Sequence, residues 1–116
     1  MAVTLNKQAL QHAQGLVKEH KVVADDRDDW SEHQPTAQAE NDHLEEHGFA
    51  EYQKWYLGID DEHGEETKSR YKFPYGDFEK VHRCGLIAVE VRAAQNDYTD
   101  IEQAAKHLRE MLDESA

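Results

Sequence analysis

The chain has 116 residues and a formal net charge of −12, with 38% hydrophobic and 33% charged residues. This length predicts one domain with a single core. The excess of acidic residues repels phosphate backbones and so argues against direct binding of nucleic acid. A mean hydropathy of −0.97 and the lack of a long apolar run exclude a membrane-spanning helix and predict no secretory leader.

The acidic side chains are concentrated in one stretch. Fifteen of the 25 acidic residues lie between Asp25 and Glu66, where Arg27 and Lys54 are the only arginine and lysine. We call residues 25–66 the acidic segment. A surface of one charge sign attracts basic proteins and divalent cations, so we expect function to reside there.

Apolar residues recur at helical spacing near the N-terminus. Residues 1–23 are therefore predicted to form an amphipathic helix, with Thr4 as its N-cap. Its apolar stripe is narrow and consists of Leu5, Ala9, Ala13, Leu16 and Val17. We expect this helix to dock on the core or to form a homodimer.

An acidic linker over residues 24–34 is predicted to join this helix to a helical domain over residues 35–116. Trp30, in the middle of the linker, would either cover an edge of the core or anchor the linker in a groove of a basic partner. The predicted binding surface consists of Asp25, Asp26, Asp28, Asp29, Trp30 and Glu32.

Pro35 suits the first turn of a second helix, and Gly48 suits its end. A short aromatic helix is predicted to follow from Phe49 to Tyr56 and to end at Gly58. The sequence thus predicts two helical pieces joined at Gly48.

The second helix carries an H-x-x-E-H pattern, as found in inverted zincins, where two histidines bind zinc and the glutamate is the general base. Here His43 and His47 would bind zinc, and Glu46 would be the general base. The third ligand would come from Glu40, Glu62 or His63. Eight histidines and 25 acidic residues make a chance match common. We therefore expect no resident cofactor and keep zinc as an alternative.

Acidic residues also crowd the loop over residues 60–66. Their spacing does not match a calcium-binding EF-hand, so we expect a solvated loop. Residues 68–83 mix basic and aromatic side chains, and we expect this strip to answer part of the acidic charge within the fold.

An extended strip is predicted from Tyr71 to Tyr75, because Pro74 disfavours helix before it. Asp77 is predicted to cap a long buried helix over residues 77–96. His82 and Cys84 are two residues apart on that predicted helix, so their side chains would point to different faces. We expect His82 to bond a carbonyl or carboxylate and Cys84 to be packing.

A capping box begins the last helix, with Thr99 and Glu102 as its two partners. The predicted fold class is all-α, a compact bundle of four to five helices around the buried helix near residues 77–96.

Two stretches, residues 73–78 (Phe-Pro-Tyr-Gly-Asp-Phe) and residues 81–86 (Val-His-Arg-Cys-Gly-Leu), resemble motifs of a group of small uncharacterised bacterial proteins. This resemblance implies a bacterial, intracellular, free-standing domain. It implies no activity, cofactor or partner.

No diagnostic catalytic signature is present, which favours a non-enzymatic role. The sequence indicates a protein-binding module that presents an acidic surface to a basic partner. One alternative is an acidic nucleic-acid mimic that blocks a DNA-binding protein, and the other is the zinc protein or hydrolase described above. The single Cys84 in an apolar run indicates the reducing cytoplasm.

Overall fold

The structure, a computed structural model, describes residues 3–26, 29–64 and 66–115. In this part of the chain the helices are α1 (Lys7–Lys18), α2 (Trp30–His33), α3 (Ala37–Tyr52), α4 (Arg83–Gln95) and α5 (Thr99–Ser115). The strands are β1 (Val3–Leu5), β2 (Val22–Val23), β3 (Tyr56–Asp60), β4 (Tyr71–Pro74) and β5 (Val81–His82). Short 3₁₀ turns cover Gln53–Trp55 and Lys68–Arg70.

The predicted all-α bundle is wrong, because the described residues also form two sheets. Strand β3 is the centre of a three-stranded antiparallel sheet, in which Leu5 of β1 and Lys72 of β4 lie on either side of Gly58. Strands β2 and β5 pair in parallel, with Val23 opposite His82. The helices pack against these small sheets, so the fold is mixed.

The predicted aromatic helix is replaced by a turn and a strand after Tyr52. Gly58 does not end a helix but lies in the central strand, where a Cβ would be 2.8 Å from the ring of Phe73 and 2.9 Å from Val3. Glycine allows the neighbouring strands to place large side chains directly over the backbone. The join at Gly48 is confirmed, since α3 bends there at a φ of 77°.

The predicted long helix over residues 77–96 begins six residues late, at Arg83. Asp77 accepts hydrogen bonds from the backbone N–H groups of Glu79 and Lys80, at 3.0 and 2.7 Å. An N-cap makes bonds of this kind, but here they close a turn, and the chain continues into β5. The same hydrogen bonds to an aspartate side chain can therefore begin a helix or close a turn.

The predicted N-terminal helix is also shorter than residues 1–23. Asn6, rather than Thr4, caps α1, and its side-chain amide donates to the carbonyls of Gln53 and Tyr56. The buried side chains of α1 belong to the common core, so most of its apolar stripe is covered by the same chain. Most of this apolar stripe is therefore not exposed for the homodimer that the sequence predicts.

The last helix begins at Thr99, as predicted. Glu102 donates its N–H to the carbonyl of Tyr98 rather than to the Thr99 side chain. Helices α4 and α5 pack against each other and supply much of the core through Leu86, Val89, Ala93, Ile101, Ala105, Leu108 and Leu112. None of the helices in the described residues is long and apolar enough to cross a membrane.

Candidate functional site

The parallel pairing of β2 and β5 positions the first group of candidate residues. Because both strands leave the sheet in the same direction, Asp25 and Cys84, each two residues beyond the pair formed by Val23 and His82, come together. Oδ1 of Asp25 accepts the backbone N–H of Cys84 at 2.9 Å, and Oδ2 lies 2.7 Å from Nδ1 of His82. The start of the acidic segment is therefore anchored in the protein.

His82 has a second carboxylate partner. Its Nε2 lies 2.8 Å from Oδ2 of Asp77, whose other oxygen closes the turn described above. Burial lowers the pKa of His82, but the hydrogen bonds to Asp25 and Asp77 outweigh burial and raise the pKa above its ordinary value. The prediction that His82 bonds a carbonyl or a carboxylate is confirmed, with a carboxylate at each ring nitrogen. We call Asp25, Asp77, His82 and Cys84 the buried cluster.

The two carboxylates of the buried cluster are held in the charged form. Burial raises the pKa of Asp25, but hydrogen bonds from the Cys84 N–H and from His82 outweigh it and leave the pKa below its usual value. Asp77 behaves in the same way, through His82 and the amides of its turn. Both ring nitrogens of His82 therefore face carboxylates, a geometry that favours the imidazolium form.

Cys84 approaches His82, against the expectation that their side chains point to different faces. That expectation assumed one helix, whereas His82 lies in β5 ahead of α4. One ligand atom each of Asp25, His82 and Cys84 lies within 4.8 Å of the others. Burial, with Asp25 beside it, raises the pKa of the Cys84 thiol to about 12. The thiol is protonated at neutral pH and is a poor nucleophile.

Trp30 lies over this cluster, on the short helix α2. A Cβ on Gly85 would be 2.9 Å from Cζ3 of Trp30, so glycine lets the indole rest on α4. The rings of Trp30 and His82 are 6.1 Å apart, and the ring of His33 stacks on His82 at 5.1 Å. Trp30 is half-buried and rests on α4 at Gly85.

The other predicted binding residues differ in exposure. Asp26 is exposed, and its N–H donates to Oδ2 of Asp29 at 3.0 Å. Glu32 is exposed, and Asp28 lies outside the described residues. The side chain of Asp25, by contrast, is 8% exposed and turned into the cluster, so it is not part of an exposed acidic surface.

Trp30 also lines a cavity of about 430 Å³. Phe73 and Tyr98 form part of its wall, with their rings edge to face at 6.0 Å. Phe73 has a φ of 65°, a strained conformation of the kind that clusters at functional sites. The remaining lining residues are Val3, Gln34, Asp60, Lys72, Pro74, Ala88, Val89, Arg92 and Asn96.

Two cations line this cavity beside one carboxylate, that of Asp60. Lys68 and Arg70 of the strip are paired, with Glu40 at 3.3 Å and with Asp61 at 3.8 Å, as expected of internal charge matching. Lys72 of β4 and Arg92 of α4 form no ion pair with any described residue. Their charges are therefore available to a ligand.

The sequence does not predict this cavity. Its walls come from β1, α2, β3, β4 and α4 and from the turn at Tyr98, and no spacing in the sequence predicts that these elements meet. Arg92 is exposed, as an arginine on a helix usually is, so the sequence does not mark it as a cavity residue.

The H-x-x-E-H residues lie elsewhere, on α3. The rings of His43 and His47 are 4.7 Å apart, and His43 stacks on Phe78 at 4.4 Å with its Nε2 buried. Glu46 is exposed and lies 3.6 Å from Nε2 of His47. Within the described ranges, no third ligand joins the two histidines.

The expected third ligands have other contacts. Glu40 accepts the hydroxyl of Tyr56 at 2.7 Å and pairs with Lys68. His63 lies in the exposed loop, 3.9 Å from Asp60, and Glu62 donates its N–H to the same residue at 3.0 Å.

No protein family matches the chain, and neither a curated protein nor a solved structure is significantly similar to it. The function is therefore inferred from the chemistry of the site.

Proposed function

We propose that this protein is a non-enzymatic binding protein whose cavity takes a small organic anion with a flat apolar body. One observation supports this most strongly. In a chain of net charge −12, Lys72 and Arg92 lie unpaired, among the described residues, at a cavity walled by aromatic rings.

The cavity matches such a ligand in size and chemistry. Its volume of about 430 Å³ lies within the range of small-molecule sites, which combine apolar walls with a few polar groups. Trp30, Phe73 and Tyr98 would contact the apolar body. A carboxylate or phosphate would pair with Arg92 and Lys72, and Arg92 can bind it in a bidentate manner.

Asp60 is the opposing charge at this cavity. It is 9% exposed, and its Oδ1 already accepts the N–H of Glu62. Its presence favours ligands whose anionic group lies towards Arg92, away from a buried carboxylate. This requirement gives the cavity a polarity and hence a preferred ligand orientation.

A non-enzymatic role agrees with the chemistry of the neighbouring buried cluster. An activated nucleophile needs a lowered thiol pKa or a free base next to it. The pKa of Cys84 is raised, and both ring nitrogens of His82 are bonded to carboxylates. The cluster therefore supports structure rather than nucleophilic attack.

The test is a protein-observed NMR screen of small aromatic carboxylic acids against their isosteric amides. We expect the acids to bind and to shift the indole N–H resonance of Trp30, and the amides to bind at least tenfold more weakly. Equal binding of acids and amides, or binding that leaves Trp30 unshifted, would remove the proposal.

A second candidate is the binding of a basic protein, and exposed carboxylates of α3 favour it. Asp42, Glu45 and Glu46 are exposed and form no ion pair with a lysine or arginine in the described part of the chain. Capture of a basic partner should weaken with salt, and the triple variant D42N/E45Q/E46Q should abolish that salt dependence. Unchanged capture by the variant would exclude this face.

The cytoplasm is the proposed location, because the buried Cys84 is a free thiol.

A further inference from the structure

Three side chains of the buried cluster offer different metal ligands at one point. Asp25 offers a carboxylate oxygen, His82 a ring nitrogen and Cys84 a sulfur, and these atoms lie within 4.8 Å of one another. In a tetrahedral zinc site, ligand atoms are separated by about 3.5 Å, so small side-chain rotations would complete the geometry. This convergence is independent of the cavity described above.

The ligand atoms are already aimed. Oδ1 of Asp25 is held by the N–H of Cys84, which leaves Oδ2 turned towards Nδ1 of His82. The backbone on both sides is fixed by the pairing of β2 with β5 and by the first turn of α4. The protein therefore bears little cost for ordering these groups when an ion binds.

Asp77 supplies the outer support that metal-bound histidines usually have. Its Oδ2 lies 2.8 Å from Nε2 of His82, while its Oδ1 is fixed by two backbone amides. A carboxylate that accepts the Nε2 proton leaves Nδ1 free to bind a metal and increases its basicity. The cluster thus has both the ligands and the group that orients one of them.

We propose that Asp25, His82 and Cys84 bind one zinc ion, with solvent as the fourth ligand and Asp77 orienting the imidazole. Thiolate and imidazole together select zinc over magnesium or calcium, which prefer oxygen. In this state the metal replaces the proton between Asp25 and His82 and the proton of the thiol. The buried charges of Asp25 and Cys84 are then neutralised by the ion.

The experiment is a titration of chelator-treated, reduced protein with Co²⁺, which substitutes for zinc and reports its ligands by absorption. We expect one equivalent to bind, with a thiolate-to-cobalt charge-transfer band that zinc removes by displacement. The variant C84S should lose that band. The variant D77N should keep it but bind about 10–100-fold more weakly.

The double variant H43Q/H47Q is the matched control, because it removes the other histidine pair and leaves the buried cluster intact. It should bind cobalt as the unaltered protein does. The proposal is overturned if the unaltered protein shows no thiolate band, a result that does not depend on any variant folding. It is also overturned if C84S or D77N binds with unchanged affinity, or if H43Q/H47Q abolishes binding.

Discussion

Cys84 donates its backbone N–H to Oδ1 of Asp25 at 2.9 Å, although 59 residues separate them. Cys84 is the second residue of α4, whose first N–H groups have no partner within the helix. His82, the residue before the helix, provides no side-chain cap. A carboxylate from the acidic segment therefore caps α4 and also pairs with His82, so it joins the two sheet strands to the central helix.

Removal of this carboxylate should destabilise the fold strongly. The variant D25A leaves the N–H of Cys84 and one nitrogen of His82 without a partner, and we expect a loss of about 3 kcal/mol of unfolding free energy. Urea denaturation measures this loss. The neighbouring variant D26A is the control, because Asp26 is exposed, and it should change stability by less than about 0.5 kcal/mol. Similar losses in both variants would contradict the anchoring role.

The buried cluster predicts a stability optimum in mildly acidic solution when metal is removed with a chelator. The pKa values of Asp25 and Asp77 are lowered, so their contribution is complete above the ordinary 3.8 and is lost as pH falls through the folded-state values. The pKa of His82 is raised, so its contribution is complete below 6.5 and is lost as pH rises through the folded-state value.

The cluster should therefore contribute most between these two ordinary values. Urea denaturation across pH measures the effect, and the difference in stability between the unaltered protein and D25A should peak in that window. A difference that stays constant from acid to mildly alkaline pH would show that His82 is not charged in the folded protein.

Two glycine substitutions should act in opposite directions. In G58A the added methyl group meets the ring of Phe73 at 2.8 Å, and we expect a loss of about 1–3 kcal/mol. In G15A the methyl group meets nothing within 4 Å, and a helix interior gains about 0.5–1 kcal/mol when alanine replaces glycine. Thermal unfolding compares the variants. Equal midpoints would contradict the close packing at the central strand.

His43 should be replaceable by an apolar ring. It stacks on Phe78 at an interplanar angle of 12°, its Nε2 is buried without a hydrogen bond to any described residue, and burial lowers its pKa. Because a buried unpaired nitrogen costs free energy, H43F should match or exceed the stability of the unaltered protein by up to about 1 kcal/mol. A net loss of stability in H43F, measured by urea denaturation, would mean that His43 has a polar partner that phenylalanine cannot replace.

Much of the local structure is predictable from the sequence, while the pairing of distant segments is not. Helix α5 begins where its pattern predicts, and α3 bends at Gly48. Asp77 misled the prediction, because hydrogen bonds to the amides two and three residues later suit either a helix start or a tight turn. The β-sheets consist of short strands that only long-range pairing stabilises. The need for glycine at position 58 becomes clear only from the ring of Phe73, which packs against its backbone.

The same distinction applies to the candidate site. The sequence predicts that His82 bonds a carbonyl or a carboxylate. It also predicts two alternatives for Trp30, which either covers an edge of the core or anchors the linker in a partner. It does not predict that Asp25 turns inward, because a cluster of acidic residues normally faces solvent. The cavity at Lys72 and Arg92 arises from six separate parts of the chain and leaves no local pattern.

The central claim is that Lys72 and Arg92 hold the anionic group of a ligand in the cavity. The most direct test is the affinity of the tightest aromatic acid for the variant K72Q/R92Q, with K106Q as control, because Lys106 is exposed on α5. We expect at least a tenfold loss for K72Q/R92Q and no change for K106Q. Equal affinities for K72Q/R92Q and the unaltered protein would contradict it.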